Sequence, residues 1–524
     1  MINKKLLTVG SGLAVALSVA ACNTDNLTNL NKNPNSPEDV PASTLFTTAT
    51  VDAVGRWFGG YDLRATEFIV QHLAEVQYPD EDRYTRLTGG STAGFFDNPY
   101  ITHLEDWTKV IQKGEAANQA GIYAPALAMR TWSFSYLTNT WGDIPYFDAL
   151  KGDQTGGSLA PKYDAQKDIY ADLFVQLDKV SKDIAAAGAN AGDLGSGDPI
   201  YGGNLTKWQR FANSLRARLA LLLVNKDPAT ANTQLTAAFT APGGLLQSNA
   251  DNAELSWPGD GVYNNPWANF FSTRDDNRVS LALINLMKSL NDPRISLYAQ
   301  PSPDDGTYKG APNALTADKA AVYICCSSRI TAQMFPGNTA YGFYGGTGNS
   351  FPSFLMTYAE VALIQAEAAN RGLGGLTPAQ AAAFYVAGVT ASIEQWGGTA
   401  AQAAAYLTDP NVVYVAGTTG LVRIAQQKWL ALYADGGTAW AEWRRTCVPY
   451  TISPGANASR ANIPRRLQYS TTERSVNGAN LTAAIAQQGA DAFETRMYWD
   501  TNSAAAPTYP TTFTCGLRGS APAP

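Results

Sequence analysis

The chain has 524 residues with 44 acidic and 38 basic side chains, a formal charge of −6, and only 16% of it is charged. An acidic chain without a basic stripe is a poor match for a phosphate backbone, which excludes nucleic-acid binding. A chain this long exceeds one small core, so a large helical array or two fused lobes is expected.

The first residues read as an export signal. Lys4 and Lys5 form a positive start, and Leu6 to Ala20 is apolar or small throughout, too short to span a bilayer as a stable helix. The run ends Val19-Ala20-Ala21-Cys22. Small residues before a cysteine suit a lipoprotein signal peptidase, so residues 1–21 are read as the leader and Cys22 as the acylated N-terminus. Two or three acyl chains, at about 0.8 kcal/mol per buried CH₂, anchor stably where one does not. Loss of Lys4 and Lys5 takes the charge to about −8. Residues 22–35 are polar and Asn-rich and read as a tether, and the folded domain is expected to span 36–524.

Ser36-Pro37-Glu38-Asp39 has the composition of a helix start. Helices are predicted over 42–58 and 62–76, then 100–120 and 124–139. In 164–188, Ile169, Leu173 and Leu177 share one face; in 206–225, Trp208, Phe211, Leu215 and Leu219 do. Residues 354–370 are helix-forming, with Gly372 as the stop. Thr377-Pro378-Ala379-Gln380 is a capping box opening a helix to Trp396, and another helix runs over 421–434. Between these lie Gly-, Asn-, Pro- and Tyr-rich stretches at 78–100, 140–165, 190–204, 240–280, 298–350 and 445–480. Loops that long are binding surface or insertions. A few short strands are expected within 320–345 and 410–416. The fold class is mainly α: tetratricopeptide-like helix pairs, within about 36–225 and 354–434, with a loop-rich lobe at about 240–350 and 445–524.

Beyond Cys22 there are four cysteines, Cys325, Cys326, Cys447 and Cys515. An exported chain permits disulfides, and four thiols allow three pairings. The adjacent pair could bridge, but Cys447 with Cys515 is the easier pairing. Only two histidines are present, His72 and His103, both in helical contexts, and GxSxG, HExxH and GxxxxGK[ST] are all absent. Paired carboxylates are the enzymatic option left, and none stands out from solvated acids. The Glu360 and Glu367 pair reads as structural, with Glu367 placed to meet Arg371 and either of the two placed to meet Arg444 or Arg445. Acidic loops such as Pro79-Asp80-Glu81-Asp82 lack calcium-loop spacing, so no cofactor or metal is expected.

Several long stretches resemble the SusD/RagB nutrient-binding outer-membrane lipoproteins, especially their SusD-like second subgroup. They are WGDIPYFDAL (141–150), NLTKWQRFANSLRARLALLL (204–223), DPRISLY (292–298) and FLMTYAEVALIQAEAANRG (354–372). FYVAGVTASIEQWG (384–397), QQKWLALYADGGTAWAEWRRTCVPY (426–450), IPRRLQYSTTE (463–473) and MYWD (497–500) complete the set. The resemblance implies helix pairs carrying a loop-rich lobe, no catalysis, and a glycan ligand, with peptides in some members. It also implies a partner, a TonB-dependent outer-membrane β-barrel that such lipoproteins cover as a hinged lid. Arg444-Arg445 and Arg465-Arg466 read as internal staples.

Ligand contact is expected from aromatic loops rather than from the motifs, because ring faces take sugar C–H groups while amide, carboxylate and guanidinium neighbours bond hydroxyls. Two loops have that mixture. One holds Tyr78, Arg83, Tyr84, Phe95, Asn98 and Tyr100; the other holds Trp257, Tyr263, Asn264, Trp267 and Arg274. The rival readings are a surface glycoside hydrolase or lyase and a helical scaffold that binds only proteins.

Overall fold

A computed structural model of the chain describes residues 39–336 and 348–501. The leader, Cys22, the tether and the Ser36 helix start therefore lie outside the described residues. The first helix, α1 (Ala42–Gly55), follows Pro41. It does not break near residue 58 as its sequence suggests, but runs on as a wide π-helix over Arg56–Thr66. Gly59 and Gly60 lie at its centre, where glycine lowers the cost of leaving α geometry. A Cβ at Gly59 would also sit 3.0 Å from Pro266 Cβ, so a larger side chain would push that neighbour away. The predicted helix over 62–76 is cut short. A helical turn, Glu67–Ile69, gives way to strand β1 (Leu73–Glu75) through Gln71, whose φ is 59°.

Helices α2 (Ala93–Ile101), α3 (His103–Ala116), α4 (Ala120–Trp141), α5 (Gln166–Ala187), α6 (Leu205–Leu222) and α7 (Pro228–Thr240) follow. From α3 onward each packs against the next, and α1 closes on α3. The stripes read from sequence point inward: Ile169, Leu173 and Leu177 on α5, and Trp208, Phe211, Leu215 and Leu219 on α6, are all at 0% exposure. Each such side chain contributes roughly 1.5–3 kcal/mol of burial. Asp227 caps α7 by accepting from the Thr230 amide, with Pro228 at the first helical position.

The second array contains α8 (Pro266–Phe271), α9 (Leu281–Ser289), α10 (Tyr358–Arg371), α11 (Ala381–Gln395), α12 (Ala400–Tyr406), α13 (Thr418–Ala431) and α14 (Gly436–Thr446). Helix α10 is its hub, packing on α11, on α13 and on α6 of the first array. Gly372 ends α10 at φ 67°, and both bonds of the Thr377–Gln380 capping box are present. Residues 353–356 form a strand ahead of α10 rather than its first turn. The chain closes with α15 (Thr471–Val476) and α16 (Gly478–Gln488).

Strand β1 pairs antiparallel with β5 (Asn277–Val279), β2 (Ile144–Pro145) with β3 (Tyr163–Asp164), and β4 (Ala253–Leu255) with β6 (Ser353–Met356). The strand expected at 410–416 is not formed, because the Val412 and Val413 amides both turn back onto the Asp409 carbonyl at 2.9 Å. Among the described residues of 320–345 there is no strand either, only an isolated bridge at Ile330.

The motif arginines are buried staples. Arg445 donates to both oxygens of Glu367 at 2.7 Å and also meets Glu442. Arg444 lies 3.9 Å from the Trp440 ring and donates to the Arg465 carbonyl. Arg465 pairs with Asp500 at 2.8 Å, and Arg466 with Asp491 at 3.2 Å. Glu360 takes a different partner, Arg218 of α6, which ties the two arrays together. Cys325 and Cys326 form a vicinal disulfide. The pairing expected to be easier ends at Cys515, outside the described residues.

Candidate ligand-binding surface

Both histidines are internal. His72 sits between Glu67 (3.0 Å) and the Trp429 carbonyl (3.1 Å), and burial pulls its pKa down to about 3, so it is neutral at pH 7. His103 bonds Ser133 and Asp52 and joins α3 to α4 and α1. Among the described residues no group of three or more His, Cys, Asp or Glu side chains is placed to hold a metal ion. The acids of the 79–82 loop are engaged within the protein. Glu81 meets Arg64 and Arg86, and Asp82 accepts from Asn313 and from the Ala314 amide. Burial raises the Asp82 carboxyl to about 7.

The two loops singled out from sequence both meet the π-helix, at its adjacent residues Gly59 and Gly60. A Cβ at Gly60 would lie 3.3 Å from the Phe95 ring, and Gly59 touches the start of α8. Phe270 of α8 stands beneath two guanidiniums, Arg64 of the π-helix at 5.8 Å and Arg274 at 5.4 Å from its centroid. Arg274 also lies 6.0 Å from the Tyr78 ring and bonds Asp276 at 2.7 Å. Such stacking orients a guanidinium and leaves its outer N–H groups to a ligand. Tyr78 is 67% exposed and holds a left-handed backbone (φ 51°), an uncommon conformation for a side chain of this size.

Beside this row a cleft of about 360 Å³ opens between the π-helix and α2, lined by Arg56, Arg64, Phe95 and Asn98 among others. Arg56 is held by Asp52. Burial works against that carboxylate, but hydrogen bonds from His103, Arg56 and Thr102 outweigh it and hold it well below the usual range. A second cleft of about 330 Å³ adjoins through Arg64 and Phe95 and adds Glu81 and Arg86. The outcome is an open, aromatic-floored surface ringed by four arginines. It has ring faces for apolar contact and forked donors for hydroxyl or carboxylate oxygens.

Of the residues expected here, Tyr78, Phe95, Asn98 and Arg274 are brought together. Tyr263 (52% exposed) and Asn264 lie on the neighbouring 259–264 loop, where the Asn264 side chain accepts from the Gly261 amide. Others are corrected. Tyr84 and Trp267 are each 1% exposed, and Trp257 is buried with its indole N–H on Ser353. Tyr100 packs among Phe96 and Phe134 and donates to the Pro145 carbonyl. Arg83 is turned away and donates to the Asn457 carbonyl. All twelve tryptophans are buried, so none offers a stacking face at the surface. Arg56, Arg64, Arg86 and Phe270 were missed. Arg56 and Arg64 lie in segments read as helix, Arg86 and Phe270 in stretches read as loop, and of the three arginines only Arg56 has an aromatic neighbour in the chain, Trp57.

A larger cavity of about 780 Å³ opens between α9, α13 and residues 448–456. Its walls are mainly aliphatic, including Leu281, Leu286, Leu315, Val422 and Pro449, and it lacks the ring-and-guanidinium pairing of the π-helix surface. No helix among the described residues is long and apolar enough to cross a membrane.

Comparison with known proteins gives a consistent picture. Residues 34–470 match the SusD-like family described as starch-binding and associating with the outer membrane. A solved chitin-binding protein is 25% identical, superposes with a TM-score of 0.75, and covers 88% of this chain and 100% of its own. A SusD homologue from Bacteroides uniformis is 25% identical with a TM-score of 0.74 over the same shares. A chitin-binding SusD homologue from Flavobacterium johnsoniae, at 24% identity and a TM-score of 0.73, shares the fold. No curated protein matches.

Proposed function

The chain belongs to the SusD-like family, and on that premise we propose that it is a non-catalytic glycan receptor, lipid-anchored through Cys22 at the outer membrane, that hands an oligosaccharide to a TonB-dependent β-barrel. One observation carries the ligand class: Tyr78, Phe270, Arg274 and Arg64 form a continuous ring-and-guanidinium row on the protein surface. A sugar presents C–H faces and hydroxyls together, and this row has a partner for each. The family description and the chitin-binding structural relative support the same class. The polar, Asn-rich composition of 22–35, read as a tether, supports a lid over a barrel. Energy for import comes from the partner.

The test is binding of purified protein to maltoheptaose, chitohexaose and a wider glycan panel by calorimetry. Micromolar to millimolar binding is expected for at least one glycan, weakened about tenfold or more in Tyr78→Ala and Arg274→Ala. Turnover of a bound glycan, abolished by replacing two carboxylates, would instead establish a hydrolase or lyase. Co-purification of a TonB-dependent barrel from outer membranes tests the transport role, and its absence under conditions that preserve other such complexes would remove that part. Release of the wild-type protein from membranes only by detergent, and of Cys22→Ala without it, tests the anchor.

A further inference from the structure

The vicinal disulfide is not used by the surface described above, yet it stands beside it. Helical turn Ala317–Ala321 leads into a tight turn over 322–326, in which Val322 is 63% exposed and Cys325 is also exposed. Tyr323 and Ile324, the residues between, pack inward on Ala74, Val76 and Ala311. Ala74 and Val76 lie two residues apart, on the same side of β1 and its continuation. In the β1–β5 ladder Ala74 faces Arg278, and beyond its end the Asp276 carbonyl accepts from the Val76 amide. The partner strand begins at Asn277, directly after Asp276, and Arg274 donates to the Asp276 carboxylate at 2.7 Å, so Arg274, Asp276 and Arg278 follow one another along the segment beside β1.

Contacts bear this out at both ends of the row. Arg278 donates to the Ile324 carbonyl at 2.7 Å, and Arg274 reaches Asp276 and the Tyr78 ring. Tyr78 follows Val76 by two residues, so it lies within about 7 Å of it. The disulfide turn is therefore a neighbour of the Tyr78–Arg274 end of the surface.

The turn is also rigid. Arg278 and Arg329 both grip the Asp275 carboxylate, at 2.9 Å and 2.6 Å, and all three side chains are buried. Ser327 Oγ closes the turn onto the Tyr323 carbonyl, and the Ser328 amide bonds Lys309. A bridge between adjacent cysteines removes two thiols and leaves a small, polarizable, apolar face that cannot rearrange. With Val322 beside it, that face is a platform for the C–H side of a sugar ring, and little ordering is lost when it binds.

We infer that the Val322–Cys325–Cys326 turn is a second contact platform, taking the sugar units that extend beyond those held at Tyr78 and Arg274. This rests on the glycan reading above and adds an element that sets preference for chain length. The experiment compares trimers with heptamers of the maltose and N-acetylglucosamine series by calorimetry. It uses wild type, the Cys325→Ser/Cys326→Ser double variant, Val322→Asp and Tyr78→Ala, each checked for an unchanged melting temperature. Wild type is expected to bind heptamer at least fivefold more tightly than trimer, and that ratio should fall to near one in both the double variant and Val322→Asp. Tyr78→Ala should weaken both lengths. An undiminished heptamer-to-trimer ratio in Val322→Asp overturns the platform while leaving the Tyr78 site standing. If the double variant does not fold, Val322→Asp decides alone. Wild type that binds neither these series nor any other glycan of the panel removes both readings together.

Discussion

Replacing Arg218 with methionine should cost about 3–5 kcal/mol of stability, because it strips a buried carboxylate of its counter-charge. Arg218 donates from Nε to Glu360 at 2.7 Å and from a terminal nitrogen to the Leu355 carbonyl at 3.0 Å; its side chain is 5% exposed and that of Glu360 1%. Arg218→Met leaves Glu360 buried without a cation and within electrostatic reach of the buried Asp435 carboxyl, which Arg218 also offsets. Unfolding entropy near 2.1 cal/mol/K per residue sums to about 1 kcal/mol/K for a chain this long, so the melting temperature should drop by about 3–5 °C if unfolding is cooperative. Urea denaturation at pH 7 measures the same loss as a lower midpoint. The decisive comparison is Arg218→Met/Glu360→Met. Removing both charges and filling the space with apolar atoms should recover most of the loss, since buried pairs are often replaceable by well-packed hydrophobes. A double variant no more stable than the single one would refute the counter-charge argument. It would mean that the cost lies in packing between α6 and α10.

The remaining predictions concern other parts of the structure. His72 titrates at about 3 when folded against 6.5 in the open chain, so its neutral form contributes stability that is fully present above pH 6.5 and lost as pH falls toward 3. Wild type should lose about 2 kcal/mol more than His72→Gln between pH 7 and pH 5, and parallel stability–pH curves for the two would contradict this. A Cβ at Gly388 would stand 2.7 Å from Leu363 Cγ and 3.0 Å from the Ala359 carbonyl. Gly388→Ala should therefore destabilise by about 1–3 kcal/mol of overpacking, more than the roughly 1 kcal/mol gained in helix propensity; a raised melting temperature would count against the close α10–α11 approach. Thr399 accepts from the Gln402 amide while Gln402 reaches back to the Thr399 amide. Thr399→Ala should cost about 1 kcal/mol, seen as faster hydrogen exchange in α12.

The array was legible where apolar residues recur at helical spacing or a cap is written in the chain. The Trp208, Phe211, Leu215 and Leu219 stripe, Gly372 and the Thr377 capping box are examples. What the sequence hid was geometry that competes with periodicity. Nothing in GRWFGGYDLRAT distinguishes a π-helix from an α-helix, since both carry an apolar face and only the number of residues per turn differs. The stretches that meet at the candidate surface are picked out by composition, but composition does not tell which of their side chains reach it. Trp257 and Trp267 lie in a Gly-, Asn- and Pro-rich stretch as Tyr263 does, yet the large rings fold inward because an indole buries more apolar area than any other side chain. Arg64 and Phe270 became candidates only once the fold stacked one above the other.

The unbroken passage from α1 into the π-helix adds a covalent link between the first helical array and the candidate surface. Chain entry is at Ala42, and α1 alone, at 14 residues, is about 21 Å long. Arg56 and Arg64 project from the π-helix that continues it. The N-terminal end of α1 and the arginines of the candidate surface thus lie at opposite ends of one continuous helical element. Because this element packs on α3 and α4 at one end and on α2, α8 and α14 at the other, the arginines are fixed relative to the whole helical body rather than to a single loop.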